Sequence, residues 1–545
     1  MKCSPIVYIK GLLFTLAAAC LVASCKKSDP NEGLESPRLF KPSGISIKTS
    51  DTAAVITWTA PLLSTGQPLT YTAEFSQDST FATTAFSMTT DTTGLTVSDA
   101  KATIRKKYYV RVKADAYKTQ PESKWIMGSF TILGEQLFYP IRDVELTEAA
   151  VTLRWKITPG ITNITLTVKN GTAVSHVLTP AEVSAGVKVF TGLTSDTTYT
   201  AELFMGAKSK GIETFATLAP TAYTVVLNAG DDLAAAITAA ANNAIIGLNP
   251  GTYNAGSTNY TLLQKTVTLK STSGNPANTK VNFKEFTIRG NGAGINLYGL
   301  ELDGTASGAL YFINLTGAAA DAEQAAFTQV VLDNCIVHNA ATSLLRANRG
   351  ANAGDYKMNQ IIVKNTLVYD VATGLSYNCF HLDKLLLGSM TVSKSTFNNI
   401  GQALASSSTV LATAPVIRFD YCTFNNFGAQ NKYVLMDANA NPVSFSITNS
   451  IIGNIPRPSG AVQGVMIRAS GAGTALTFSN NNTFNLTNGS AAALTLPTTN
   501  ITQVGNQAVN LGWTATTTDF TLPANSVLRT VSNVGTAIGD PRWTY

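Results

Sequence analysis

The sequence predicts an all-β chain in which two β-sandwiches precede a coil of stacked parallel strands. Three observations carry this reading. Charged residues make up 13% of the 545 positions, about half their usual share in soluble proteins, and Thr, Ser, Asn and Val take their place. From about residue 37 to 218, short apolar and polar alternations recur between turn signals, as half-buried strands of a sandwich require. Beyond about residue 330, one eight-residue pattern returns again and again. The composition also excludes alternatives. Long disorder needs more charge and fewer apolar residues, and helical bundles lean on Glu, Lys, Arg and Ala. Six Cys are too few for a disulfide scaffold. The net charge of +6 is spread without a Lys/Arg stripe, which speaks against nucleic acid as a partner.

The chain opens with Lys2 and Lys10 around the start of an apolar stretch, Gly11 to Ser24, too short to span a bilayer. This predicts a secretory signal peptide over residues 1–24. The run Leu21-Val22-Ala23-Ser24-Cys25 resembles a bacterial lipobox. That resemblance implies cleavage before Cys25 and lipid attachment there, with two acyl chains for stable anchoring. Lys26-Lys27-Ser28-Asp29 partly resembles the surface-export tags of lipoproteins in the Bacteroides group, although Ser28 interrupts the acidic pair. The implied location is the outer membrane, at the cell surface or on its periplasmic face. Residues 25–36 form the lipidated Cys and a flexible polar stalk in this reading, with almost nothing to bury.

Two modules follow, at 37–133 and 138–218. The first offers the strands Val55–Trp58, Leu69–Phe75 and Tyr108–Ala114, and the second offers Val151–Trp155 and Ile164–Val168. The run Phe190 to Leu203, with Leu193, a turn and Thr198-Tyr199, is similar to the fibronectin type III signature. Trp58 with Tyr108, and Trp155 with Tyr199, match that family's core aromatics. The resemblance implies a tyrosine corner at Tyr199 and a spacer role for both modules.

From 219 to 545 the sequence reads as a β-helix. Leu332 to Asn339 aligns with Val363 to Asp370, Val392 to Asn399, Phe419 to Asn426 and Ile447 to Asn454; Phe478 to Asn485 and Leu297 to Gly304 are degenerate copies. The small residues Cys335, Thr366, Ser395, Cys422 and Ser450 advance by 31, 29, 27 and 28 positions, the length of a coil of three short strands and their turns. Small side chains suit an inward stack, and the closing Asn or Asp tolerates a left-handed corner. Rungs lie about 4.8 Å apart, so Cys335 and Cys422 are separated by roughly 14 Å and cannot pair. A partner for Cys379 stays open. Ahead of the repeat, Asp231-Asp232 precedes the helical stretch Leu233–Ala241, and the strand Ile245–Tyr253 follows, ending in Pro-Gly-Thr-Tyr. This order looks like the N-terminal cap of pectate-lyase-like right-handed parallel β-helices, where it covers an open apolar end.

The resemblance reaches the fold and stops short of the chemistry. The Asp-rich and Gly-His-Gly motifs of polygalacturonases are absent, and Arg457-Pro458 lacks the second Arg of classical pectate lyases. One outward column reads Asp333, Lys364, Ser393, Asp420, Thr448, Ser479, and its neighbour contains Arg418. Asp333 and Asp420, three rungs apart, cannot share a calcium ion. A second strand set holds Arg346, Arg349, His381, Asp383, Lys384, Asp437 and Arg468. Asp383 and Asp437 are expected two rungs, about 10 Å, apart. His381, Asp383 and Lys384 form the densest ionisable cluster on this reading. His176 falls in a sandwich and His338 in a coil turn, each without a metal-ligand neighbour, and no zinc spacing, phosphate loop or nucleophile elbow occurs. The terminal Trp543 is expected to plug the last coil.

These readings point to a lipid-anchored envelope protein that binds or helps process an extended, pectin-like polysaccharide. Arg346, Arg349, His381, Asp383, Lys384, Arg418, Asp420 and Asp437 are the candidate glycan contacts, and no catalytic residue is assigned. No cofactor is expected, and calcium enters only if the chain is a lyase. Two alternatives stay open: an active polysaccharide lyase, and a structural or adhesive surface protein without a glycan ligand. The expected partners are the polysaccharide, the membrane through the lipid alone, and other proteins of a glycan-uptake system.

Overall fold

The computed structural model describes residues 37–545. The expected signal peptide, lipid-attachment Cys25 and expected stalk lie outside these residues. The chain is nearly all-β, with fibronectin type III-like sandwich sheets ahead of a parallel β-solenoid of about nine turns. It divides into two compact units.

The first unit contains the described residues up to Tyr139, with Arg154–Val187 and Tyr199–Phe215. Its first sandwich pairs Ser43–Thr49, Ala53–Thr59 and Gly94–Ser98 in one antiparallel sheet, and Phe86–Thr90, Tyr71–Ser76, Lys107–Ala114 and Ile126–Thr131 in the other. Alternation works as expected: Ala54, Ile56 and Trp58 face inward, against Tyr71, Tyr108 and Val110. The tyrosine corner is seen at Tyr108, whose hydroxyl accepts from the Thr103 backbone at 3.3 Å and from Gln77 Nε2 at 3.0 Å. A second four-stranded sheet joins Ala173–Val177, Asn163–Val168, Thr198–Met205 and Lys208–Ala216. Trp155 is buried in this stretch of the chain, and Tyr199 stacks on Phe215. Ala150–Arg154 and Val187–Thr191 pair separately with each other.

The second unit, Pro140–Leu153, Lys188–Thr198 and Ala216–Tyr545, contains the solenoid. Three parallel sheets form its walls. Sheet 1 has eleven strands, from Val225–Leu227 to Ile501–Val504; sheet 2 has nine, from Gly251–Asn254 to Asn482–Leu486; sheet 3 has eight, from Tyr260–Leu263 to Ile467–Ala469. The capping helix runs Leu233–Ala239. Asp232 caps it, accepting from the Ala235 N–H at 2.9 Å, and Leu233 and Ile237 close the apolar end of the first coil. Inside, aromatic rings stack from rung to rung, as Phe397 does on Phe424 with centroids 5.4 Å apart.

Six of the nine sheet 2 strands are flanked by two left-handed corners. Asn334, Asn365, Lys394, Tyr421, Asn449 and Asn480 occupy the first, with φ between 48° and 56°. Asn339, Asp370, Asn399, Asn426, Asn454 and Asn485 occupy the second, between 52° and 60°. These last six are the closing Asn or Asp of the repeat, placed where the sequence puts them. The small-residue column follows the first corner, and it is a hydrogen-bonded ladder. The Thr366 N–H donates to Ser395 Oγ at 3.0 Å, the Cys422 N–H to Ser450 Oγ at 3.0 Å, and the Ser450 N–H to Asn481 Oδ1 at 2.9 Å. The hydroxyls of Thr366, Ser395 and Ser450 then donate to the carbonyl two residues back.

The C-terminal tail departs from expectation. Trp543 does not plug the last coil: its indole N–H donates to Thr396 Oγ1 at 2.7 Å, three rungs before the last strand of sheet 2. The tail runs back over the outer face of that sheet. Outward amides of Asn454, Asn425 and Asn398 donate to the carbonyls of Trp513, Thr514 and Thr517 in turn. Trp513 packs instead on the outward Phe484 of the last sheet 2 strand, with centroids 5.6 Å apart, in a small apolar cluster separate from the solenoid core.

Cys335, Cys379 and Cys422 are buried and free, which settles the question left open for Cys379. Burial pushes all three thiols up, Cys335 to about 12. In the folded chain none of the three should react with an alkylating reagent near neutral pH. Peptide mass mapping after labelling, with and without denaturant, checks this; labelling in the native state would show that the rungs open.

Candidate functional site

Each solenoid sheet presents an outward face, and two of the three are already filled by the chain itself. On sheet 1 the column Asp333, Lys364, Ser393, Asp420, Thr448, Ser479 stands in register as the repeat predicts. Its charges are engaged within the chain. Lys364 pairs with Asp143 at 2.8 Å, Asp333 accepts from Asn365 at 2.9 Å, and Asp420 accepts from Thr448 and Asn449 at 2.7 and 2.8 Å. A cavity of about 740 Å³ adjoins this column, lined in part by Asp143, Glu148, Lys270 and Asp333. There too the charges are matched, Lys270 with Glu148 at 2.7 Å. Arg418, in the neighbouring column, is exposed.

Sheet 2 corrects the reading of His338. It lies in the strand Ile336–Ala340 rather than in a turn, and it has metal-ligand neighbours. Asp303 stands one rung before it in register, with Glu301 two residues away on the same face. The three donor atoms all lie within 4.8 Å of one another. His338 Nε2 is 3.2 Å from Glu301 and its ring stacks on Tyr369 at 4.6 Å. Lys280 completes the group, its ammonium 2.7 Å from Asp303 and 3.1 Å from Glu301. Burial alone would raise the Asp303 carboxyl, but hydrogen bonds from Lys280 and Thr305 hold it well below the usual range. The protein's own cation therefore sits where a metal ion would have to compete. The sequence missed this cluster because Glu301 and Asp303 belong to the degenerate copy Leu297–Gly304. Aligning that copy residue by residue sets Asp303 against His338.

Sheet 3 presents a partly exposed face, on which Arg346, His381, Asp437 and Arg468 are half-buried and Asn314 and Ser406 are buried. Its register runs Asn314, Arg346, His381, Ser406, Asp437, Arg468, one residue per rung. The strands are as short as two residues, and the loops before them bring aromatic rings onto the column. Arg346 lies against Tyr311 and Tyr377, with its guanidinium 5.0 and 5.2 Å from the two ring centroids. Its Nε donates to Asn348 at 2.9 Å and its Nη1 to the Tyr311 hydroxyl at 3.1 Å. No carboxylate pairs with it among the described residues. Tyr377 reaches on to His381, ring centroids 4.4 Å apart. Further along, Asp437 holds Arg468 by two bonds of 2.8 Å, and that guanidinium covers the Tyr433 ring.

Asp383 and Asp437 do not stand on one register column two rungs apart as expected. The register sets Asp437 two rungs above His381, whereas Asp383 falls two residues beyond the strand Phe380–His381. A loop residue does not keep the strand period, which is the physical reason for the error. Asp383 instead accepts from the Ser408 backbone and from the hydroxyls of Ser408 and Ser406, the latter two at 2.9 and 3.2 Å. Of the other candidates, Arg349 is taken by Asp321, and Lys384 donates to the carbonyls of Gly350 and Ala351. Arg346, His381, Asp383 and Asp437 are thus brought to one face, and Arg349, Lys384, Arg418 and Asp420 are not part of it.

His381 is the central titratable group of this face. Ser406 Oγ lies 3.1 Å from its Nδ1 and 3.2 Å from Asp383 Oδ2. One hydroxyl proton satisfies both contacts in a single way: Nδ1–H donates to Oγ, and Oγ–H donates to the carboxylate. Burial lowers the imidazole below the ordinary histidine range; Asp383 works against this, and Arg346 and Lys432 add to it. The ring is therefore neutral near pH 7, with Nε2 carrying the lone pair. A neutral imidazole beside an unpaired guanidinium and the exposed Lys432 makes a face that carries net positive charge.

No family model and no curated protein sequence matches this chain. Among solved structures it is similar to a two-domain fibronectin type III segment of chicken tenascin, at 14% identity over 32% of this chain and 97% of that one, with a TM-score of 0.18. It is also similar to the FN1–FN3 domains of chicken CNTN1, at 13% identity over 34% of this chain and 69% of that one, with a TM-score of 0.16.

The charges around His381 set the direction in which its titration moves. Followed by proton NMR, the imidazole should titrate below about 6.5, its unperturbed value. Asp383→Asn should move the midpoint lower still, and Arg346→Gln should move it higher. Movement the other way in either variant would mean that these neighbours do not govern the ring.

Proposed function

We propose that this chain is a lipid-anchored cell-envelope protein, attached through Cys25, whose solenoid binds an extended pectin-like polysaccharide along sheet 3. The fibronectin type III-like modules then hold the solenoid out from the membrane. The location that fits is the outer membrane, at the cell surface or on its periplasmic face, with partner proteins of a glycan-uptake system nearby.

One observation carries the reading: Arg346, without a carboxylate partner among the described residues, lies against Tyr311 and Tyr377, whose half-buried rings also touch each other. Aromatic rings offer flat apolar surface for the C–H faces of sugar rings, and a guanidinium with free N–H groups suits a uronate carboxylate. Parallel rungs space these outward positions about every 4.8 Å, so an extended chain laid along the solenoid meets a new side chain at each rung. Asp437 and Arg468, paired two and three rungs beyond His381, add hydrogen-bonding groups for hydroxyls.

The purified chain should be retarded in gels containing polygalacturonate or pectin. Arg346→Ala and Tyr377→Ala should each weaken binding by about ten- to a hundredfold, as the loss of a charge-assisted contact or a stacking platform does. If the unsubstituted chain migrates freely through both glycans, the proposal fails. Release of unsaturated, ultraviolet-absorbing products, with or without calcium, would replace it with the lyase alternative.

A further inference from the structure

Resting on the glycan-binding reading of sheet 3, we infer that seating a uronate carboxylate at Arg346 is coupled to uptake of a proton by His381, so that the face binds acidic glycan more tightly as pH falls.

The argument starts from geometry. Arg346 and His381 are register neighbours on adjacent strands, so their outward side chains stand about one rung, roughly 4.8 Å, apart. The Tyr377 ring touches both, and the side chains lie on the same partly exposed face. A carboxylate on Arg346 therefore lies within reach of the imidazole edge. The other charged groups around the ring are few and fixed. On its own segment Asp383 faces it, with Nε2 to Oδ2 at 3.6 Å, already bound by Ser406 and Ser408. From the next strand comes the neutral Ser406, and from the loop beyond it the exposed Lys432. Asp437 stands two rungs away and is held by Arg468. In the free protein burial and the two cations keep the ring neutral at pH 7.

An arriving anion changes that balance. It compensates the guanidinium that opposes protonation, and it adds a negative charge close to the ring, so the charged imidazole becomes favourable. Nδ1–H keeps its bond to Ser406, and the new proton goes to Nε2, which can then donate to the bound carboxylate. The sign follows from linkage. The complex holds more protons than the free protein between the two titration midpoints, so affinity rises as pH falls through that window and is flat outside it. Uronate carboxylates remain charged until about pH 3.5, well below the window.

The test measures binding of polygalacturonate oligomers to the purified chain at about pH 7.5, 6.5 and 5.5. Binding should tighten by about three- to tenfold per unit at the steepest point, tenfold being the limit for one proton. Calorimetry in two buffers of different ionisation enthalpy should show uptake of up to about one proton per site. His381→Asn should abolish the pH slope, whatever its absolute affinity. Binding with no proton uptake and no slope in the unsubstituted chain overturns this inference and leaves the glycan-binding proposal standing. A slope that survives in His381→Asn also overturns it, since the proton then goes elsewhere. Absence of binding at every pH overturns the glycan-binding proposal itself.

Discussion

A solenoid wall turns a corner without helices, and every corner strands backbone N–H groups against an apolar interior. Leaving one unpaired there costs about 1 to 3 kcal/mol. In this protein the cost is avoided by the residue just after the first corner. Each of Ser395, Ser450 and Asn481 offers a side-chain oxygen to the N–H one rung back, and Thr366 does the same for Cys335 over a longer contact of 3.4 Å. A larger apolar residue would neither fit nor accept. The left-handed conformation before it requires Asn or another tolerant residue, and the strand of sheet 2 then begins at a fixed place. Register on sheets 1 and 2 follows from this one peg.

Because the peg fixes sheets 1 and 2, sheet 3 is released from the same demand. Its strands shrink to Phe380–His381 and Ala405–Ser406, and the segments around them vary in length and content. That is where Tyr377, Asn348, Asp383, Lys432 and Tyr433 gather. A ligand face needs side chains that differ from rung to rung, and a repeat that enforced all three walls could not supply them. The tail reinforces this division. By lying across sheet 2 with Trp513, Trp543 and the buried Asp540, it removes much of that wall from solvent and leaves sheet 3 partly exposed.

The same division explains what could be read from the sequence. The repeat is strict where the peg acts, so the rung length, the outward column from Asp333 to Ser479 and the left-handed Asn residues from Asn339 to Asn485 were all legible. The sandwich alternation from Val55 to Trp58 was legible for the usual reason of period two. Sheet 3 carries too few residues per strand to show a period, which is why Arg346 and His381 were found as members of a face while Asp383 was given a register it does not have. Glu301, Asp303 and Lys280 were missed because degenerate copies weaken the alignment that would have joined them to His338. Tyr377 had no signal at all, since a loop aromatic looks the same in sequence whether it covers a core or faces a ligand, and Tyr311 opens the strand Tyr311–Thr316, which belongs to no recognised copy of the repeat.

Scarce charge also changes what each charged residue means. In a surface crowded with Lys and Glu, a guanidinium without a partner is ordinary. Here cations are matched in turn: Lys280 by Asp303 and Glu301, Lys364 and Lys394 by Asp143, Arg349 by Asp321, Arg468 by Asp437. Where carboxylates are few and so regularly used, Arg346 is left with two tyrosine rings and an amide. Those neighbours orient the guanidinium without neutralising it, and orientation is what an anionic ligand gains from. The constraint that built the wall from Thr, Ser and Asn thus leaves Arg346, like the exposed Arg418 and Lys432, without a carboxylate partner among the described residues, and of these Arg346 is the one set against two tyrosine rings.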